Sequence, residues 1–240
     1  INSINWARLM SQVVYYFWAY LQIDEQEINF IVPSGNFGNV FSANVAKKMG
    51  LPINQLHITT NQNDILHSSI KNGLMKKKVV TQTYSPSMDI QVSSNFERQL
   101  FESSGRDSKT INNIFHEFSK NNLYRFDKKI QHDLQSNYST TAVSNDETLN
   151  AIKQIKQKYN YLADPHTSTG LYALLEKDAN LPWVSLACAH PAKFGNAIEK
   201  ATGEPPVLPK DLSKLFDKEE KMTILDNNKN ILKSLILKNL

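Results

Sequence analysis

The sequence predicts an α/β protein: an open, twisted, mostly parallel sheet flanked by helices. Two observations predict it. Short β-branched apolar runs alternate with segments of helical period, in the order strand, helix, strand, helix, between Ile28 and Gly73. The turns that punctuate this alternation hold four of only 8 glycines in 240 residues, where an average composition of about 7% would supply roughly 17.

The elements follow in order. Trp6, Leu9, Met10, Val13, Val14, Phe17 and Leu21 recur at three- and four-residue spacing, which predicts a helix over 6–21. Tyr15, Tyr16, Trp18 and Tyr20 make its other face aromatic, so burial on most sides is expected. Asn2, Ser3 and Asn5 precede it as capping candidates. Ile28 to Val32 reads as a strand that ends at Pro33-Ser34-Gly35. Val40 to Met49 reads as a helix closed by Gly50 and Pro52, and Leu56 to Thr59 as a second strand. Asn63 to Lys71 follows as a helix closed by Gly73, and Tyr84 to Ser94 as a loop. Residues 95–160 turn charged and polar, with helical spacing around Phe96, Leu100, Ile111, Ile114, Phe118, Ile152 and Ile155. Asp164 to Gly170 reads as a loop that opens a helix at Leu171. Trp183 to Ala187 reads as a third strand, and 208–240 as a helical tail. The expected organisation is therefore an α/β core with a phosphate loop over 1–95, a mainly helical insertion over 96–160, a return to the core over 161–205 and a C-terminal tail over 206–240.

Composition narrows the function classes. The net charge is +4, from 27 basic and 23 acidic residues spread along the chain, which does not favour nucleic acid. No stretch reaches the roughly 18 apolar residues of a membrane span. One cysteine, Cys188, excludes an internal disulfide framework and a multi-cysteine zinc site, so no metal is expected and a reducing, cytoplasmic compartment is. The chain begins at Ile1 with no signal-peptide pattern, and is read as a piece of a longer polypeptide. The oligomeric state is not legible.

Chemistry is concentrated in three turns. Ser34-Gly35-Asn36-Phe37-Gly38-Asn39 joins a strand to a helix. Glycines there let backbone N–H groups converge, and the helix N-terminus adds about half a positive charge, which together make a phosphate cup. An ordinary strand-to-helix turn would fit the same residues, since neither a Walker A lysine nor Gly-x-Gly-x-x-Gly spacing is present. Asp164-Pro165-His166-Thr167, at a loop-to-helix junction, reads first as a helix N-cap by Thr167 or Asp164. Ala187-Cys188-Ala189-His190-Pro191-Ala192-Lys193-Phe194 follows a strand, at the carboxyl edge where open α/β sheets bind ligands. Cys188 and His190 stand two apart on an extended segment and point to opposite faces, which argues against a cysteine nucleophile.

Five segments, in order, resemble threonine synthase: N-S-I-N-W-A-R at 2–8, S-G-N-F-G-N at 34–39, S-P-S-M-D-I-Q-V-S-S-N-F-E-R at 85–98, D-P-H-T at 164–167 and A-H-P-A-K-F at 189–194. The resemblance implies the large domain of a fold-type II pyridoxal-phosphate enzyme with the extra central segment. It implies a lyase reaction of threonine biosynthesis, in which O-phosphohomoserine and water give L-threonine and phosphate. Gly35, Asn36, Phe37, Gly38 and Asn39 would hold the cofactor phosphate. Cys188, standing where the family usually has Thr, would face the pyridine nitrogen as a neutral group. Asn2, Ser3 and Arg8 would bind the substrate phosphate. The family's Schiff-base lysine, in a segment like T-Y-A-F-K-D, has no match here, and Lys193 does not correspond to it. No catalytic residue is therefore assigned in this chain, which reads as the C-terminal part of such an enzyme, inactive alone. The alternatives are a non-catalytic module for phosphate ligands, a relative that has lost activity or, less well matched, another enzyme of the same cofactor class.

Overall fold

The computed structural model describes residues 4–177, 181–214 and 217–239. They form two compact units, divided between Pro206 and Val207.

The first unit opens with α1 (Trp6–Leu21). Asn5 caps it: its side-chain oxygen accepts from the Ala7 N–H at 2.9 Å. Leu9, Val13 and Tyr16 are buried, but Val14, Trp18 and Leu21 are more than 60% exposed. The helix is thus sided rather than buried on most sides, because among the described residues one face only is covered. β1 (Ile28–Pro33) follows and is buried along its whole length. α2 (Gly38–Lys48), β2 (Ile53–Thr60) and α3 (Ile65–Asn72) continue the alternation. α3 ends on Gly73, which adopts φ +65 in the left-handed region that glycine enters without steric cost.

Residues 74–160 hold more strand than the spacing predicts. β3 (Leu74–Lys76) and β4 (Leu123–Arg125) form a short antiparallel pair. Helices α4 (Phe96–Ser103), α5 (Ser108–Asn121), α6 (Lys128–Asn137) and α7 (Asn145–Tyr159) make the segment mainly helical. Between the last two lies β5 (Tyr138–Ala142), which joins the main sheet. Its sequence, Y-S-T-T-A, carries almost no hydrophobic signal. Its register beside β2 is instead fixed by polar contacts across the strands, described below.

α8 (Pro165–Leu175) begins six residues earlier than Leu171. Asp164 is the cap and Pro165 the first helical residue, a position where the missing N–H costs nothing. Gly170, which reads as a loop signal, lies inside the helix. A Cβ there would stand 2.4 Å from Ser185 Oγ and 3.0 Å from Pro33 Cγ, so glycine lets α8 press against the sheet. β6 (Trp183–Ser185) completes a four-stranded, wholly parallel sheet in the order β5-β2-β1-β6. α9 (Gly195–Thr202) follows a short 3-10 turn at Pro191–Phe194. Among the described residues of the second unit, helix is confined to a 3-10 turn at Lys210–Leu212 and to α10 (Lys229–Lys238), because Pro209 and the polar run before Lys229 interrupt the tail.

Candidate functional site

A cavity of about 220 Å³ opens at the carboxyl ends of β1 and β6. Residues 33–36 with Asn39, the turn at Ser87 and Met88, His166, and the segment after β6 with Cys188, Ala189, Lys193 and Phe194 line it. A larger hollow of about 480 Å³ between the start of α1 and helices α4 and α5 contains none of the glycine-turn residues. The smaller cavity is where polar groups converge, at the edge of a parallel sheet where ligands bind.

Apolar packing shapes the 34–39 turn. Phe37 has φ +64, a left-handed conformation that costs a non-glycine residue about 1–2 kcal/mol. Its ring is fully buried, 5.2 Å from that of Phe96 and 5.5 Å from that of Tyr138. Full burial of such a ring contributes about 1.5–3 kcal/mol, enough to offset the strain. The turn is also tied by polar contacts. Ser34 Oγ accepts from the Phe37 N–H at 3.1 Å, and Asn36 Oδ1 from the Gly38 N–H at 2.9 Å. The Tyr16 hydroxyl donates to Asn39, 2.7 Å from its Oδ1 and 2.9 Å from its carbonyl oxygen, joining α1 to the first turn of α2. The N–H groups of Gly35, Asn36 and Asn39 find no acceptor among the described residues. Gly35 has no room for a side chain, since a Cβ would meet the Met88 backbone at 3.0 Å.

The opposite wall is organised by Asp164. Its Oδ1 accepts from the His166 N–H at 2.9 Å and from His166 Nδ1 at 3.0 Å. Its Oδ2 accepts from the Thr167 hydroxyl and, at 3.1 Å, from the Ala189 N–H. Burial pushes the carboxyl up, but the hydrogen bonds from His166 and Thr167 outweigh it and hold the group below the usual carboxylate range. Thr167 Oγ1 in turn accepts from the Cys188 N–H at 2.8 Å. The Cys188 thiol borders the open cavity. Surrounding protein, then the Asp164 charge, push it up to about 12, so it stays protonated and neutral at ordinary pH.

The structure therefore brings Gly35, Asn36, Asn39 and Cys188 together around one cavity. Phe37 and Gly38 shape the turn and spend their N–H groups within it. Arg8 is exposed in the first turn of α1 and does not line the cavity. Asn2 and Ser3 lie outside the described residues. Sequence reasoning assigned no role to Ser87 or His166. The signal was present in S-P-S-M-D and D-P-H-T, but the contact between them spans 79 residues.

Over residues 167–236 the chain matches the family described as threonine synthase, C-terminal. It is 41% identical to the threonine synthase of Pseudomonas aeruginosa, across 95% of this chain and 50% of that protein. Its fold superposes on the PLP-bound threonine synthase from Brucella melitensis with a TM-score of 0.93 and 43% identity, covering 98% of this chain and 52% of that one. The yeast threonine synthase gives a TM-score of 0.91 at 36% identity, covering 100% and 54%. The chain spans about half the length of the curated relatives it matches.

Proposed function

From the premise that this chain belongs to the threonine synthase family, carrying its C-terminal region, we propose that it forms the phosphate-binding side of a pyridoxal 5'-phosphate lyase. The polypeptide that contains both halves would convert O-phosphohomoserine and water to L-threonine and phosphate. The observation that carries the reading is the set of N–H groups at Gly35, Asn36 and Asn39, unpaired among the described residues and carried by residues that line one cavity with Cys188.

The residues fit the cofactor. Backbone donors with the α2 dipole suit a phosphate, and side chains are excluded at Gly35 where the loop must stay open. The cofactor supplies an electron sink for bond breaking next to the amino-acid α-carbon. Cys188, kept neutral by the protein around it and by the Asp164 charge, would sit against the ring nitrogen without donating a charge to it. Asp164 would keep the Cys188-Ala189 backbone in place through Thr167 and the Ala189 N–H. Arg8, with Asn2 and Ser3, would take the substrate phosphate, a group that a guanidinium can grip in a fork. The lysine that anchors the cofactor lies outside these 240 residues in this reading, so the chain alone would not turn over.

The test is phosphate release from O-phosphohomoserine by the polypeptide with both halves. Release with formation of threonine is expected; neither would appear if the family reaction is absent. Binding of pyridoxal 5'-phosphate without any release would favour the alternative, a module for phosphate ligands that has lost activity. Arg8→Ala should raise KM roughly tenfold or more, by loss of a charged hydrogen bond, and leave the cofactor absorbance in place. The reverse pattern would exchange the two phosphate assignments.

A further inference from the structure

His166 is 4% exposed, and both of its ring nitrogens are engaged. The Ser87 backbone N–H donates to Nε2 at 3.1 Å. An N–H has no lone pair to offer, so Nε2 must be the unprotonated nitrogen. The neutral ring then carries its proton on Nδ1, where Asp164 Oδ1 accepts it at 3.0 Å. Phe194 lies against the ring, 4.8 Å between centroids, and closes off other orientations. Ser87 belongs to a 3-10 turn, Pro86–Met88, whose last residue packs close to Gly35: a Cβ on Gly35 would lie 3.0 Å from the Met88 Cα. Ser87 also lines the cavity, and its hydroxyl has no hydrogen bond among the described residues.

We propose that His166, locked by Asp164 as the Nδ1–H tautomer, is a positioning residue that holds the Ser87 turn as the ligand-facing wall of the cavity and presents the Ser87 hydroxyl to the bound phosphate compound. The proposal rests on the functional reading above. Asp164 fixes the proton, the proton fixes the acceptor, and the acceptor fixes the loop. One carboxylate thereby sets two walls at once, since its other oxygen holds the Ala189 N–H.

Two amides separate the two ends of the ring. Asn at 166 can still donate to Asp164 but cannot reach Ser87; Gln can offer its oxygen near the Nε2 position. In the polypeptide with both halves, His166→Asn should weaken retention of pyridoxal 5'-phosphate about fivefold or more, the worth of one hydrogen bond, while His166→Gln recovers most of it. Ser87→Ala keeps the N–H, so it should loosen the cofactor by a similar factor while the melting temperature of the cofactor-free protein stays unchanged. In the unsubstituted protein, 15N-resolved histidine spectra should show the Nδ1–H form of His166. The Nε2–H form, equal losses in the two His166 variants, or unchanged affinity in Ser87→Ala would overturn the proposal. If an Asn variant fails to fold, the spectra and Ser87→Ala decide. Failure of the unsubstituted protein to hold pyridoxal 5'-phosphate would sink the functional reading instead, and the tautomer would still be readable.

Discussion

β1 and β2 lie side by side in the sheet, run parallel, and each ends in a polar turn that starts a helix. The two turns are built for different ends. After β2, the side-chain amides of Asn61 and Asn63 are spent on the protein. Asn61 Nδ2 donates to Thr83 Oγ1 at 2.8 Å and to Asp89 Oδ1 at 2.7 Å. Asn63 Nδ2 donates to the Thr81 carbonyl at 2.8 Å and to Asp89 Oδ1 at 3.0 Å, while Asp89 Oδ2 accepts from the Thr83 N–H at 2.9 Å. The flank of β2 is closed in the same way. His57 contacts Ser139 and Thr141 of β5 at 2.7 and 3.0 Å, and the Lys177 ammonium donates to its Nδ1 at 3.2 Å. After β1, N–H groups remain unspent. Position in the topology makes both turns candidates for binding; the turn after β1 is the one whose residues line the cavity with Cys188.

This contrast can be broken in four places. The largest effect is expected at Asp89→Ala, which leaves Asn61, Asn63 and Thr83 without their shared acceptor. A loss of about 2–4 kcal/mol in urea unfolding is the expected result, since each stranded buried donor costs about 1–3 kcal/mol. A loss under 0.5 kcal/mol would show that water replaces the carboxylate and that the second turn is not closed. The next effect is pH dependence. Burial, then the Lys177 charge, lower the His57 pKa to about 3 from 6.5. The unfolded chain therefore takes up a proton first, and stability that is complete above pH 6.5 falls as the pH drops, by about 1.4 kcal/mol per unit toward pH 3. Melting curves between pH 7 and 5 should show the slope, and His57→Gln should flatten it. An identical slope in that variant would assign it to other groups.

At the first turn the costs should fall on the ligand as well as on the fold. Gly38→Ala places a Cβ 3.1 Å from Asn36 Oδ1 and 3.3 Å from Asn95 Nδ2, so overpacking of about 1–2 kcal/mol is expected, accompanied by weaker cofactor retention. Stability loss with full retention would separate the turn from the ligand. Asn36→Ala removes only the acceptor for the Gly38 N–H; about 1 kcal/mol is expected, near the value for losing a helix cap. A thermal shift assay with and without pyridoxal 5'-phosphate would show whether the ligand difference exceeds the fold difference, as the comparison requires.

How much of this was legible depended on how local each signal was. The Ile28–Val32 strand, the 38–48 helix and the glycine turn between them are written in consecutive residues, and α1 announces itself by spacing. β5 was not legible, because Y-S-T-T-A earns its place through contacts with Gln55 and His57, more than 80 residues away. The start of α8 was misread because Gly170 signals a break in sequence, whereas in space it is a surface pressed onto Ser185 and Pro33. In the site, the glycine turn over 34–39 is legible as a strand-to-helix turn, because its residues are consecutive. The role of His166 is not, since a tautomer is set by partners on two sides of a cavity.

Phe37 bears on how fast and how selectively the turn can act. Its ring is anchored between Phe96 and Tyr138 while its backbone holds the left-handed bend. The loop's shape is thus kept by the hydrophobic core, independent of any bound anion. A ligand then meets a rigid receptor and has no loop to order, so association should be a single concentration-dependent phase without a slower isomerisation behind it. The same rigidity limits tolerance: a cup that does not adapt discriminates by size, favouring anions that match its width over larger ones of equal charge.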